Sequence, residues 1–173
     1  SIMNLSNETR ALAAQAEEAL SDIFKKIDET ARLRTELLLD VYREERVSES
    51  LFAPSTGYGY GDRGRDTIDR IAAKVFGAEA GFMRPSILSG THALTIGLFG
   101  LLRPGDIMLS ITGAPYDTLH GVIGISGEKG NGSLADFGIQ YIQVELGSDG
   151  GIDLSAVGAA LEQYKDKIRV VFL

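Results

Sequence analysis

The chain has 173 residues, 44% hydrophobic and 24% charged, with a net charge of −7, four prolines and no cysteine. This excludes a disordered or fibrous chain, disulfides, thiolate catalysis and any Cys-ligated metal, and the acidic balance argues against a phosphate-neutralising nucleic-acid binder. No apolar run of membrane-spanning length and no secretory pattern is present, so a cytoplasmic protein with no membrane span is expected.

Glycine is unevenly distributed. All 21 glycines lie at or beyond Gly57, so residues 1–56 are expected to form a helical arm and residues 57–173 the glycine-rich part of an α/β domain. Charge follows a similar division. Residues 51–104 carry 6 basic and 4 acidic side chains and are the only net-positive third, which suits a small anionic ligand there.

In chain order, Leu12, Ala16, Leu20, Ile23, Phe24 and Ile27, continued by Leu33, Leu37, Leu38 and Val41, recur at helical spacing from Asn7 to Val47. A run of that length is read as two helices capped near Asp28 to Thr30, or as one bent helix. Leu51 to Arg65 reads as a loop, and Asp66 to Phe76 as a helix stopped by Gly77. Ala80 to Met83 reads as a short strand, Gly90 to Leu102 as a helix and Ile107 to Ile111 as a strand. Asp117 to Ile125 is expected to be helical, Gly127 to Ser133 a polar loop, and Ile139 to Leu146 a strand. A helix capped by Asp153 and running to Tyr164 precedes a last apolar strand, Ile168 to Leu173. The alternation predicts an α/β fold with a mostly parallel sheet. The last strand, apolar but for Arg169, is read as central, and the chain as the front part of a larger domain.

Three segments are candidates for chemistry. Gly59, Gly61 and Gly64 form a G-x-G-x-x-G pattern, but no hydrophobic strand precedes it, as a dinucleotide-binding turn requires. The same loop holds Tyr58, Tyr60, Arg63 and Arg65, whose hydroxyls and guanidinium groups suit a phosphate; a solvated surface loop is the alternative. Ser89, Gly90 and Thr91 stand where a strand is expected to meet a helix. There, free N–H groups, the helix dipole and two hydroxyls can hold a phosphate, or the serine can simply cap the helix. Tyr116 follows the next strand at the same sheet edge, placed to stack on a planar ligand or to pack. The two histidines, His92 and His120, form no metal-binding pattern, and Lys129 lies in a polar loop with no apolar pocket to lower its pKa.

Three stretches, GYGYGDRGRDTID, FGAEAGFMRPSILSGTHAL and LLRPGDIMLSITGAPYDTLHGVIG, together resemble the fold type I pyridoxal-phosphate enzymes of the methionine gamma-lyase and cystathionine beta-lyase group, in particular its aluminium resistance branch. The resemblance implies a three-layer PLP-transferase-like domain, incomplete in this chain, with carbon–sulfur lyase activity toward a sulfur-containing amino acid. It implies that Ser89, Gly90 and Thr91 hold the cofactor phosphate, that Tyr116 stacks on the pyridine ring, and that Tyr58, Tyr60 and Arg63 reach the same phosphate from a neighbouring subunit of a homodimer or homotetramer. Catalytic residues, the Schiff-base lysine among them, are expected beyond Leu173. Two departures from the group's pattern stand out. Tyr60 and Arg63 are one residue further apart than the group's Tyr-x-Arg, which leaves open which tyrosine and which of Arg63 and Arg65 serve. Thr91 and His92 replace a methionine and a small residue, making that face more polar. A non-catalytic oligomerisation or binding module, and a nucleotide-binding α/β domain, are the alternative readings.

Overall fold

A computed structural model describes residues 5–58 and 60–173. The chain divides into two compact units, one ending at Arg84 and the other spanning Pro85–Leu173.

In the first unit, α1 spans Asn7–Glu44 as one uninterrupted helix, capped by the Ser6 hydroxyl, which accepts from the Thr9 N–H. The break expected at Asp28 to Thr30 is absent. Thr30 donates its hydroxyl to the Lys26 carbonyl, 2.9 Å away, instead of capping a new helix, and Arg32 ties Glu29 to Glu36 across the same turn. The helix ends before Val47 because Arg46 takes a left-handed conformation (φ 51°), and the Val47 N–H turns back to the Tyr42 carbonyl. Leu12, Leu20, Ile23, Phe24 and Ile27 leave an apolar stripe exposed along the helix.

A 3-10 turn, Glu49–Phe52, precedes α2, Arg63–Phe76. This helix starts three residues earlier than its apolar spacing suggests, because Asp62 caps it: one carboxylate oxygen accepts from the Arg65 N–H and the other from the Ser55 hydroxyl. Those hydrogen bonds, the backbone one foremost, hold the Asp62 carboxyl below its ordinary pKa. Gly77 closes α2 at φ 62°, a conformation costly for other residues. Arg70 and Lys74 pair with Glu45 at 2.8 Å each, fastening α2 to the end of α1. This anchorage lies within the first compact unit, which ends at Arg84.

Ala80 to Met83, expected as a strand, is not part of any strand. The Met83 N–H is taken by the Asp69 carboxylate (2.7 Å), which also receives both terminal nitrogens of Arg84. A side chain of α2 therefore replaces the neighbouring strand. Gly81 lets the chain lie on α2, since a Cβ there would come within 2.5 Å of the Asp69 carbonyl.

The second unit contains the sheet. Helix α3, Gly90–Leu101, leads through the turn at Pro104 to Asp106 into β1, Ile107–Ser110. The helix expected over Asp117 to Ile125 is a 3-10 turn, Asp117–Leu119, continued by a single turn of α4, His120–Ile123, which Gly124 ends at φ 92°. Next comes the glycine loop, shaped by the Asp136 carboxylate, which accepts the N–H groups of Gly130, Gly132 and Ser133. Strand β2, Gln140–Gln143, is shorter than expected, as the chain turns aside and Leu146 bridges Ile152 in antiparallel fashion. Asp153 caps α5, Leu154–Tyr164, and β3 is Ile168–Phe172.

All strands are parallel in the order β2-β1-β3, with Met108 opposite Tyr141 on one side and Val170 on the other. The central strand is therefore β1. Within this chain β3 pairs on one side only, and Val171 is exposed. All four β1 side chains are fully buried. Met108 packs with Leu98 of α3, with Leu102 just past its end, and with Leu119, Ile123, Leu134 and Ile139, whereas Leu109 and Ile111 meet Val157 of α5. Helices thus cover both sheet faces, giving the three-layer α/β arrangement. Burying each large side chain of β1 contributes about 1.5–3 kcal/mol.

No helix among the described residues is long and apolar enough to cross a membrane, and no group of described residues is suited to hold a metal.

Candidate functional site

The first turn of any α-helix has N–H groups without intrahelical acceptors. At α3 these are disposed of unequally. The Ser89 hydroxyl oxygen accepts from the His92 N–H at 3.1 Å, and the Ser89 carbonyl accepts from the Ala93 N–H at 3.0 Å. The N–H groups of Gly90 and Thr91 have no acceptor among the described residues. His92 is itself fixed, its Nδ1 accepting from the Leu88 N–H at 3.3 Å. Ser89 is therefore a helix cap that still has its own hydroxyl proton to donate.

Gly90 is informative by what does not require it. Its φ lies outside the left-handed region, and a Cβ built there would meet no protein atom within 4 Å. Neither backbone strain nor packing within the chain asks for glycine, so the bare Cα leaves open space at the first turn, where the two free N–H groups lie.

The loop after β1 brings Tyr116 to this turn. Its shape is fixed from inside: the buried Ser110 hydroxyl donates to the Gly113 carbonyl at 2.6 Å, and the Gly113 N–H donates to the Val144 carbonyl. His120 Nε2 binds the Pro115 carbonyl at 2.7 Å. Held this way, the half-exposed Tyr116 places its hydroxyl 3.4 Å from Thr91 Oγ1, and Thr118 places its own 2.8 Å from the same atom. Ser89, Gly90, Thr91 and Tyr116, four of the seven residues singled out in the sequence, thus share one locality. Thr118 was missed. The signal for it was a hydroxyl two residues beyond Tyr116 on the same turn, but only the fold shows that it meets Thr91.

The other three residues belong to the first unit. Tyr58 and Tyr60 are 83% and 91% exposed, and Arg63, the first residue of α2, is also exposed. Arg65 differs, being partly buried with its Nε 3.8 Å from the Asp62 carboxylate, so Arg63 is the more accessible of the two guanidinium groups. Gly59, the first glycine of the G-x-G-x-x-G pattern, lies outside the described residues. A 3-10 turn rather than a strand precedes the pattern, and Gly64 faces the Leu51 carbonyl, 2.5 Å from where its Cβ would be. A backbone contact thus accounts for the third glycine without a nucleotide.

Around Thr91 the chemistry is that of an anion site: two N–H groups, the hydroxyls of Ser89 and Thr91, and the positive end of a twelve-residue helix, with an aromatic ring beside them. The donor set suits a phosphate ester, and the neighbouring ring suits the planar group attached to it.

The family model of methionine gamma-lyase matches residues 9–173. A carbon-sulfur lyase involved in aluminum resistance from Clostridium novyi NT is 43% identical with a TM-score of 0.93, the match covering 97% of this chain and 40% of that one. A candidate cystathionine beta-lyase involved in aluminum resistance from Clostridium acetobutylicum is 41% identical with a TM-score of 0.92, covering 98% of this chain and 40% of that one. The uncharacterized protein YnbB of Bacillus subtilis (strain 168) is 52% identical over 149 residues, which are 86% of this chain and 35% of that protein. The chain thus spans 35 to 40% of the length of these relatives. It belongs to the methionine gamma-lyase family, whose members depend on pyridoxal phosphate.

Proposed function

We propose that this chain supplies the phosphate end of a pyridoxal-phosphate site in a carbon–sulfur lyase acting on a sulfur-containing amino acid. The observation that carries the reading is the open, donor-rich first turn of α3 with Tyr116 beside it. The N–H groups of Gly90 and Thr91 and the hydroxyls of Ser89 and Thr91 bind the phosphate, and the Tyr116 ring orients the pyridine by stacking. When bound, the cofactor supplies an electron-withdrawing ring that weakens bonds at the α-carbon of an amino acid. The solved relatives described as carbon–sulfur and cystathionine beta-lyases support this choice of reaction class.

The protein acts as a homo-oligomer, and Tyr58, Tyr60 and Arg63 of a second copy complete the phosphate site. The exposure of these side chains and of the apolar stripe on α1 supports this arrangement.

Titrating the full-length protein with pyridoxal phosphate tests the reading. Saturable uptake, followed by absorbance, and release of a thiol and a keto acid from a sulfur-containing amino acid are expected. A folded full-length protein that takes up no cofactor overturns it.

A further inference from the structure

We propose that Thr118 is a positioning residue that sets the direction in which Thr91 donates its hydroxyl proton, and so makes the site selective for a phosphorylated ligand. The inference rests on the cofactor reading above.

A threonine inside a helix can turn its hydroxyl back to the carbonyl four residues earlier, as Thr95 does to Thr91 at 2.7 Å. Thr91 has no such carbonyl, because residue 87 precedes the helix. Its hydroxyl must be oriented from outside, and the near partner is Thr118 Oγ1 at 2.8 Å, with the Tyr116 hydroxyl further off at 3.4 Å.

Thr118 is well placed for the task. It sits in the 3-10 turn Asp117–Leu119, between two anchors. Leu119 is fully buried against the Met108 face of the sheet and donates its N–H to the Tyr116 carbonyl at 3.0 Å. His120 holds the Pro115 carbonyl. The Thr118 hydroxyl has no other partner among the described residues, so its use within the chain is the contact to Thr91.

Each hydroxyl has one proton and can accept others. With an anion before α3, the favoured order has Thr118 donating to Thr91 and Thr91 donating to the anion. The first hydrogen bond polarises the second, strengthening it where negative charge is present. Without Thr118, the Thr91 hydroxyl is free to rotate away and to share its proton with Tyr116 or water. A neutral ligand gains little from the same arrangement.

The test uses full-length protein with Thr118→Val and Thr118→Ser, titrated with pyridoxal phosphate and, separately, with pyridoxal, which lacks the phosphate. Thr118→Val is expected to weaken pyridoxal phosphate binding about three- to tenfold while leaving pyridoxal binding and the circular dichroism spectrum unchanged. Thr118→Ser, which restores the hydroxyl, is expected to bind within about twofold of the parent. Unchanged pyridoxal phosphate binding by Thr118→Val, or an equal loss toward both ligands, overturns the inference while leaving the cofactor reading intact. A parent protein that binds no pyridoxal phosphate overturns the cofactor reading itself.

Discussion

Replacing Gly90 by alanine separates a helix-start glycine from a ligand-facing one, because the two roles predict opposite changes. The added Cβ meets no protein atom within 4 Å and the backbone is already in a conformation open to alanine. The folded chain therefore gains helix propensity and the unfolded chain loses freedom, together about 0.4–1 kcal/mol in favour of folding. For a domain of this size that is a rise of about 1–4 °C in the melting temperature of the cofactor-free protein. The same methyl group occupies the space before the N–H groups of Gly90 and Thr91. If a phosphate oxygen bonds there, at least one charge-assisted hydrogen bond is lost, about 1.5–3 kcal/mol, or roughly a ten- to hundredfold weaker pyridoxal phosphate affinity. Differential scanning fluorimetry without cofactor reads the first change and equilibrium titration the second. Raised stability with unchanged affinity refutes the placement of phosphate at Gly90, and lowered stability refutes the claim that the chain leaves that space empty.

Further outcomes follow from the fold. Leu109→Ala in β1, where the side chain is fully buried between strands and α5, is expected to cost about 2–5 kcal/mol in urea unfolding, the usual range for a core leucine. Gly81→Ala is expected to destabilise by about 1–3 kcal/mol, since its Cβ would press on the Asp69 carbonyl, a backbone atom that cannot swing away. Asp153→Ala removes the α5 cap and is expected to cost about 1 kcal/mol by the same assay. The Arg84 guanidinium beside Asp69 holds the Asp69 carboxyl below its ordinary value. Its folded pKa being depressed, the contribution is present above the unfolded value near pH 4 and is lost as pH falls through the folded one. Asp69→Asn is therefore expected to flatten the acid limb of a stability-against-pH curve, and an unaltered limb counts against the pairing.

What was legible in the sequence was mostly local. Ser89, Asp153 and Gly77 announced helix ends because a cap or a left-handed glycine acts on its own next few residues. The neighbourhood of Ser89 to Thr91 and Tyr116 was also legible, because a helix packed on a parallel sheet begins at the edge where the strand that follows it ends. Illegible features depended on partners distant in sequence. Ala80 to Met83 has strand-like composition, and only Asp69, on the preceding helix, decides that its N–H groups are met by a carboxylate. The unity of α1 turned on Thr30 bonding backward rather than forward, two local options that its sequence does not rank. Thr118 meets Thr91 only through the fold, which carries it across 27 residues of sequence.

Strand β1 imposes an order on assembly. Its partners on both sides, residues 140–143 and 168–172, emerge later than it does, so a chain growing from the N-terminus presents four buried-type residues with at least one hydrogen-bonding edge vacant until the second partner arrives. The turn bearing Tyr116 and Thr118 hangs from that strand. The Thr91 contacts of that turn thus depend on a strand whose two partners are supplied by the last 34 residues of this chain.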